Sequence, residues 1–344
     1  MMTTTIQQVI QHLEQIAPPQ YQEDYDNAGL ITGHPGWEVS GVLCCLDATE
    51  AVLDEAIAKG CNLIVAHHPI VFRGLKKING KNYVERVVIK AVKNDLAIYA
   101  IHTNLDNVYH RGVNGKIAEK LGLTDTRVLA PRHETLRLVV YTSPDSSDAL
   151  RLALDAAIGG QATRFASIGA GYAQPGPRVS LEAVLPSHRM NAVRQALAAV
   201  PQAVYSIQRT EDVTAELGAG LIGQLAKPMK GAAFLAMVKK QLGAACIRHT
   251  EIQDKPISTV AVCGGAGSFL LPQALAQGAD VFVTADYKYH EFFDADGKIL
   301  IADVGHYESE QFTSELLCDI IREKFVNFAA HCADAVTNPV RYMC

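Results

Sequence analysis

The sequence predicts an α/β protein: a mainly parallel sheet with helices on both faces, interrupted by a small ferredoxin-like α/β insert. Three observations carry that expectation. Short apolar runs, such as Val42–Leu46, Asn62–Ala66 and Leu96–Ile101, alternate with longer segments of helical periodicity. The same alternation resumes near Met229. Between them, residues 131–226 change character: Gly159-Gly160, Gly169–Gly171 and Pro175-Gly-Pro177 punctuate two further β-α-β patterns. The expected division is therefore a discontinuous domain, 1–130 with 227–344, around an insert at 131–226.

Length and composition bound the functions open to such a chain. At 344 residues it has room for about two domains. Hydrophobic content of 49% and charged content of 19% are those of an ordinary globular protein. A formal net charge of -5 argues against general nucleic-acid binding, which needs a basic face, but leaves room for a local phosphate pocket. The eight cysteines are scattered with no Cys-x-x-Cys pair, and Cys44, Cys45 and Cys263 lie in apolar runs, where cysteine packs as a small hydrophobe. The segment Met1-Met-Thr-Thr-Thr-Ile-Gln-Gln has neither a basic nor an apolar stretch, and no apolar run approaches the ~20 residues of a membrane span. The expectation is a cytoplasmic protein with reduced thiols and no membrane partner.

Taken in order, Ile6, Val9, Ile10, Leu13 and Ile16 mark one face of a helix, with Thr5 and Gln8 as a capping box and Pro18-Pro19 as its stop. Tyr25–Gly33 is turn chemistry leading into a strand. Val42–Leu46 is a strand ending at Asp47, and Thr49 opens a helix to about Lys59. Asn62-Leu-Ile-Val-Ala-His-His-Pro69 is a buried strand that Pro69 must end at or before His68. Adjacent strand residues point to opposite faces, so His67 and His68 are expected to converge where the strand frays into a loop. A helix fits Tyr83–Asn94, and the strand Leu96–Ile101 ends in His102-Thr-Asn-Leu-Asp106. In the insert, strands at Leu136–Tyr141 and Arg178–Leu185 precede helices near Ser147–Ala157 and Ser187–Val200. Beyond it come a helix to about Leu242, the run Val260–Ser268, a strand at Asp280–Thr284, and a strand at Ile299–Ala302. A long helix to about Phe325 places His306 and Glu310 on one face of its first turns. Gly264-Gly-Ala-Gly267 matches neither phosphate-loop fingerprint and reads as a tight turn.

Carboxyl ends of strands are where α/β sheets place their chemistry. His67, His68, Asp106, His306 and Glu310 all fall at such ends or on the helix after one. Three imidazoles and two carboxylates exceed one structural zinc site and leave two ions with open positions, the arrangement of metal-assisted hydrolysis. Mixed nitrogen and oxygen donors without thiolate suit Zn, Mn, Fe(II) or Co.

Six segments in order, Asp26-Asn-Ala-Gly-Leu30, Ala66-His-His-Pro-Ile70, Ile101-His-Thr-Asn-Leu-Asp106, Val262-Cys-Gly-Gly-Ala-Gly-Ser268, Asp286-Tyr-Lys-Tyr-His290 and Gly305-His-Tyr-Glu-Ser-Glu310, carry a resemblance. The chain resembles the dinuclear-metal family of GTP cyclohydrolase I type 2 homologues, the NGG-interacting factor three-like proteins, in a long form with a PII-like insert. The resemblance implies two divalent ions per chain on His67, His68, Asp106, His306 and Glu310. It also implies a toroidal homohexamer and a small-molecule substrate such as a nucleotide. Two departures stand out: the insert shows Val200-Pro-Gln-Ala-Val-Tyr205 where the family has a His-Pro-Tyr-Glu-Glu-like stretch, and Ala285 stands where Gly usually precedes the aspartate.

Two functions fit. One is a metal-dependent hydrolase of a nucleotide or phosphorylated heterocycle, with His102 transferring protons and Asp47 and His290 supporting ligands. The other is a non-enzymatic metal-binding assembly for metal delivery or regulation. Both need the same ligands.

Overall fold

A computed structural model of the chain describes residues 3–133, 135–158, 164–170, 177–200, 202–210 and 213–343. The chain divides into two compact units, Met1–Ala130 with Glu216–Cys344, and Pro131–Ala215. The return crossing falls at Ala215/Glu216 rather than at 226/227, because the strand that ends at Met229 already belongs to the first unit by its pairing.

The first unit begins with α1 (Ile6–Ile16), whose opening is fixed by Gln8 accepting the Thr5 N–H at 2.9 Å. There follow β1 (Gly29–Thr32), β2 (Gly41–Asp47), α2 (Glu50–Ala58), β3 (Leu63–His68), α3 (Tyr83–Lys93), β4 (Ala97–Ala100), α4 (Thr103–Asp106), α5 (Val113–Lys120) and β5 (Leu123–His133). The second unit contributes β6 (Thr135–Thr142), α6 (Pro144–Ile158), β7 (Arg164–Ala170), β8 (Pro177–Pro186), α7 (Met190–Ala198) and β9 (Val204–Arg209). The chain returns through β10 (Val213–Met229), α8 (Gly231–Gln241), β11 (Arg248–His249), β12 (Ile257–Ala266), α9 (Leu271–Ala276), β13 (Val281–Ala285), β14 (Leu300–Asp303), α10 (His306–Glu310), α11 (Thr313–Lys324) and β15 (Ala329–Cys332).

The α/β class is as expected, with the parallel strands shared between two sheets. One has the order β1-β4-β3-β2-β15, parallel except at β1. The other runs β11-β14-β13-β12-β10-β5, with a parallel centre of β14, β13 and β12. Alternation along each strand feeds two cores. Val42 and Cys44 face a cluster shared with Leu317 and Ile321, whereas Leu43 and Cys45 pack with Val52, Leu53 and Val87. Fully burying each such aliphatic side chain contributes about 1.5–3 kcal/mol. The second sheet behaves alike, Val281 and Val283 facing the shared core and Phe282 the α9 side. Helices therefore cover both faces.

The second unit is an antiparallel sheet of order β7-β8-β6-β9 with α6 and α7, the split β-α-β-β-α-β arrangement of a ferredoxin-like fold. Leu138, Val140, Leu150, Leu154, Val193 and Leu197 form its own core. Residues 159–160, 171–176 and 201, with their glycine and proline punctuation, lie outside the described residues. Among the described residues no helix is long and apolar enough to cross a membrane.

Candidate metal centre

The carboxyl ends of both parallel strand sets open on one cavity of 1080 Å³ within the first unit. From the first sheet, β3 delivers His67 and His68. Both remain in the strand, the last rung pairing Asp47 with His68, so no frayed loop is needed. Their ring centroids nonetheless lie 4.8 Å apart over the strand end. β4 leads through His102 into α4, which ends at Asp106. From the second sheet, β14 leads through Gly305 into α10, which carries His306 and Glu310 one turn apart. The expected long helix is broken after Glu310 and restarts as α11 at Thr313.

The structure brings the five sequence-selected residues and His102 together. Donor atoms of His67, Asp106 and Glu310 lie within 4.8 Å of one another, as do those of His68, His306 and Glu310, and those of His67, His68 and His102. Glu310 Oε2 lies 3.0 Å from both His68 Nε2 and His306 Nε2. Those two imidazole nitrogens are 3.4 Å apart, and His67 Nε2 is 3.5 Å from Asp106 Oδ1.

Each ring is turned inward by an oxygen behind it. Nδ1 of His67 lies 2.9 Å from the Ile101 carbonyl, and Nδ1 of His68 is 2.8 Å from Asp47 Oδ1. His102 Nδ1 is 2.8 Å from Asp26 Oδ1, and His306 Nδ1 is 2.7 Å from Asp286 Oδ2. Carbonyl and carboxylate oxygens only accept, so Nδ1 carries the donated proton in all four rings. The Nε2 atoms then face the cavity, the orientation that metal-binding histidines are given by such partners. Asp47 is itself held by the Thr337 hydroxyl at 2.6 Å.

Close packing of glycine is required at two points around the site. Gly265 (φ +59) lies against Glu310, where an added Cβ would meet Oε1 at 2.5 Å; Gly305 (φ +96) lies against Glu308 Oε2 at 2.2 Å from such a Cβ. The Gly264 and Gly265 N–H groups are taken by Asn114 Oδ1 and Ser309 Oγ, both at 3.0 Å, which leaves neither for a phosphate.

Electrostatics describe a site short of positive charge. Burial holds His67 neutral, its pKa pushed down to about 3. Burial opposes charge on His68 and His306 too, yet Asp47 and Glu310 raise the first to about 9, and Glu310 and Asp286 raise the second to about 11. Burial works against ionised Glu310, but His306 and His68 hold it well below the usual carboxylate range. Burial and the Glu310 charge push Asp106 well above that range. His67 Nε2 and Asp106 Oδ1 are buried with no hydrogen-bond partner. Unpartnered donors of this kind are costly unless a cation takes them, so the residues present fit a divalent metal.

His290 does not join the cluster; it lies beside Tyr289 in the short 3-10 segment Tyr289–Ala295. Its motif contributes Asp286 instead, at a left-handed φ of 58° that aspartate tolerates. Asp26, Asp286 and Thr337 are the supporting groups that sequence reasoning did not assign. An acid directly after a strand, as at Asp286, was the available signal.

An α/β arrangement of sheets with a histidine–carboxylate pocket at its strand ends defines a protein with a candidate metal site. The sequence pattern of the Duf34/NIF3 (NGG1p interacting factor 3) family matches residues 4–339, and the chain belongs to that family. It is 34% identical to a GTP cyclohydrolase 1 type 2 homolog of Bacillus subtilis (strain 168), covering 98% of both chains. Among solved structures it resembles a Bacillus cereus protein related to NIF3 (32% identity, TM-score 0.73) and a Staphylococcus aureus protein (27%, TM-score 0.75), each over 100% of both chains.

Proposed function

We propose that this chain is a dinuclear-metal hydrolase acting on a nucleotide or similar phosphorylated heterocycle, in line with the cyclohydrolase names of its relatives. The observation that carries the reading is the inward convergence of histidine and carboxylate donors, two of which, His67 Nε2 and Asp106 Oδ1, are buried without a hydrogen-bond partner. One ion would be held by His67, Asp106 and Glu310 and a second by His68, His306 and Glu310, with Glu310 shared. Zn, Mn, Fe(II) and Co all suit the donor set. Such ions supply Lewis acidity and lower the pKa of water.

The chain's own groups do the remaining work. Asp47, Asp286 and the Ile101 carbonyl keep the Nδ1 protons of His68, His306 and His67 in place. His102, fixed by Asp26, has Nε2 free to take a proton from the attacking water and return it to the leaving atom. The homohexamer belongs to the same reading, and light scattering on the purified protein tests it.

The test is a nucleotide turnover screen on metal-loaded protein, with His102→Gln as the diagnostic variant. Turnover lost with metal content retained assigns proton transfer to His102; metal lost makes His102 a ligand. Failure of every metal form to hydrolyse any nucleotide removes the enzyme reading and leaves the metal-binding assembly.

A further inference from the structure

The charges around the cavity are unevenly spent. Of its carboxylates, Asp47 is bonded to His68 and Thr337. Glu23 accepts from Asn107 at 3.1 Å, and Glu85 accepts the N–H groups of Asn79 and Lys81, both at 3.0 Å. Asp106 and Glu310 belong to the donor cluster. The cations Arg73, Lys76 and Lys77 line the same cavity, and none of them has a hydrogen bond or ion pair among the described residues. All three sit between β3, which carries His67 and His68, and α3. The segment is pinned at both ends. Asn27 Nδ2 donates to the Val71 carbonyl at 2.5 Å, and Asn82 caps α3 by accepting the Glu85 N–H at 2.9 Å.

The wall beside these cations is aromatic. Phe72, 47% exposed, sets its ring edge-on to His102 at 6.2 Å between centroids and lies 6.4 Å from the exposed ring of Tyr25. Phe269 lines the same cavity from the second sheet and is also exposed. Large exposed rings lining a mostly apolar cavity that also carries a few charged groups mark a ligand surface. At 1080 Å³ the cavity exceeds what a pair of cations needs.

We propose that residues 71–82 form a substrate-anchoring subsite for a flat heterocycle that carries a phosphate chain. Arg73, Lys76 and Lys77 take the phosphates, and Phe72 with Tyr25 takes the ring, which brings the heterocycle to His102 and the donor cluster. The guanidinium offers a two-point fork to phosphate and the lysines compact positive charge. The three unpaired cations match a multiply charged anion better than a neutral or singly charged substrate. This subsite rests on the hydrolase reading for its orientation, but not for its binding.

The experiment uses the full chain loaded with metal and measures binding of GTP, guanosine and inorganic triphosphate by calorimetry. The triple variant Arg73→Gln, Lys76→Gln, Lys77→Gln should bind GTP and triphosphate about tenfold or more weakly, given what charge-assisted bonds contribute. Its guanosine affinity and metal content should equal those of the parent chain. Phe72→Ala should weaken GTP and guanosine alike and leave triphosphate unchanged. GTP binding by the triple variant at parental strength, or no GTP binding by the metal-loaded parent, overturns the subsite. Charge-dependent GTP binding, with no nucleotide turned over by any metal form, would remove the hydrolase reading and keep the subsite.

Discussion

The two sheets reach the cavity by different routes. On the first, His67 and His68 occupy the last rungs of β3, which is hydrogen-bonded to β2 and β4 on either side. His67 is fully buried and anchored to a backbone carbonyl. On the second, His306 and Glu310 ride on a five-residue helix entered through a left-handed glycine. The His306 side chain is 41% exposed, and so is held by an aspartate that is itself half exposed. The strand rim adds the Asp47 carboxylate behind His68 to its β ladder, whereas the helix rim rests on a glycine turn and the Asp286 carboxylate. The strand rim is therefore preformed, and the helix rim depends on side chains that can be altered singly.

The sharpest way to break that comparison is at Glu310, which both rims share. Glu310→Ala should remove both ions, whereas His306→Ala should remove one and leave the fold unchanged by circular dichroism. Two ions retained without Glu310 would mean that the rims bind metal independently.

A smaller effect is expected behind His68. Asp47→Asn should weaken metal binding about 10–100-fold in chelator competition, as loss of a ligand's outer partner does. Thr337→Val, one bond further out, should weaken it less. Equal affinity in both variants would show that the strand alone orients His68.

The sheet beneath the helix rim is pinned at the amino ends of its central strands by Asp280, whose carboxylate accepts the N–H groups of Ser258 and Thr259 at 2.9 Å each and pairs with Lys255. Burial opposes its charge, but these bonds win and lower its pKa. A carboxyl with a folded pKa below its unfolded value stabilises above the unfolded value, and loses that contribution as pH falls through the folded one. Asp280→Asn should therefore cost about 1–2 kcal/mol at neutral pH by denaturant melts, with the gap closing below about pH 4. A gap that stays constant from pH 7 to pH 3 would contradict the assignment.

The smallest effect belongs to the second unit. Replacing residues 131–215 by a short Gly/Ser linker should leave metal content unchanged, since none of the described residues of that segment joins the donor cluster. Metal lost from a folded deletion variant would mean that the insert supplies a ligand.

What the sequence revealed follows the same contrast. The donors were legible because each terminates a local pattern: an apolar strand before His67 and His68, another before His102, and a helix start at His306 and Glu310. Their supporting groups were not. Asp26 lies 76 positions from His102 and Thr337 lies 290 from Asp47, so only tertiary packing makes those pairs. The division into two sheets was hidden for a related reason. Apolar runs announce strands, but nothing local tells β10 to lie antiparallel beside β12 rather than extend the first sheet. The expected fraying at His68 failed because strand geometry alone does not fix where long imidazole rings end. In the insert, the strands that close the two β-α-β patterns were not placed: β9 (Val204–Arg209) is exposed and lacks the apolar run that marks buried strands.

The central claim is the two-ion site, and elemental analysis of purified, reconstituted protein tests it most directly. The account predicts about two divalent ions per chain in the parent protein. Less than one ion per chain, with the fold intact, would contradict it.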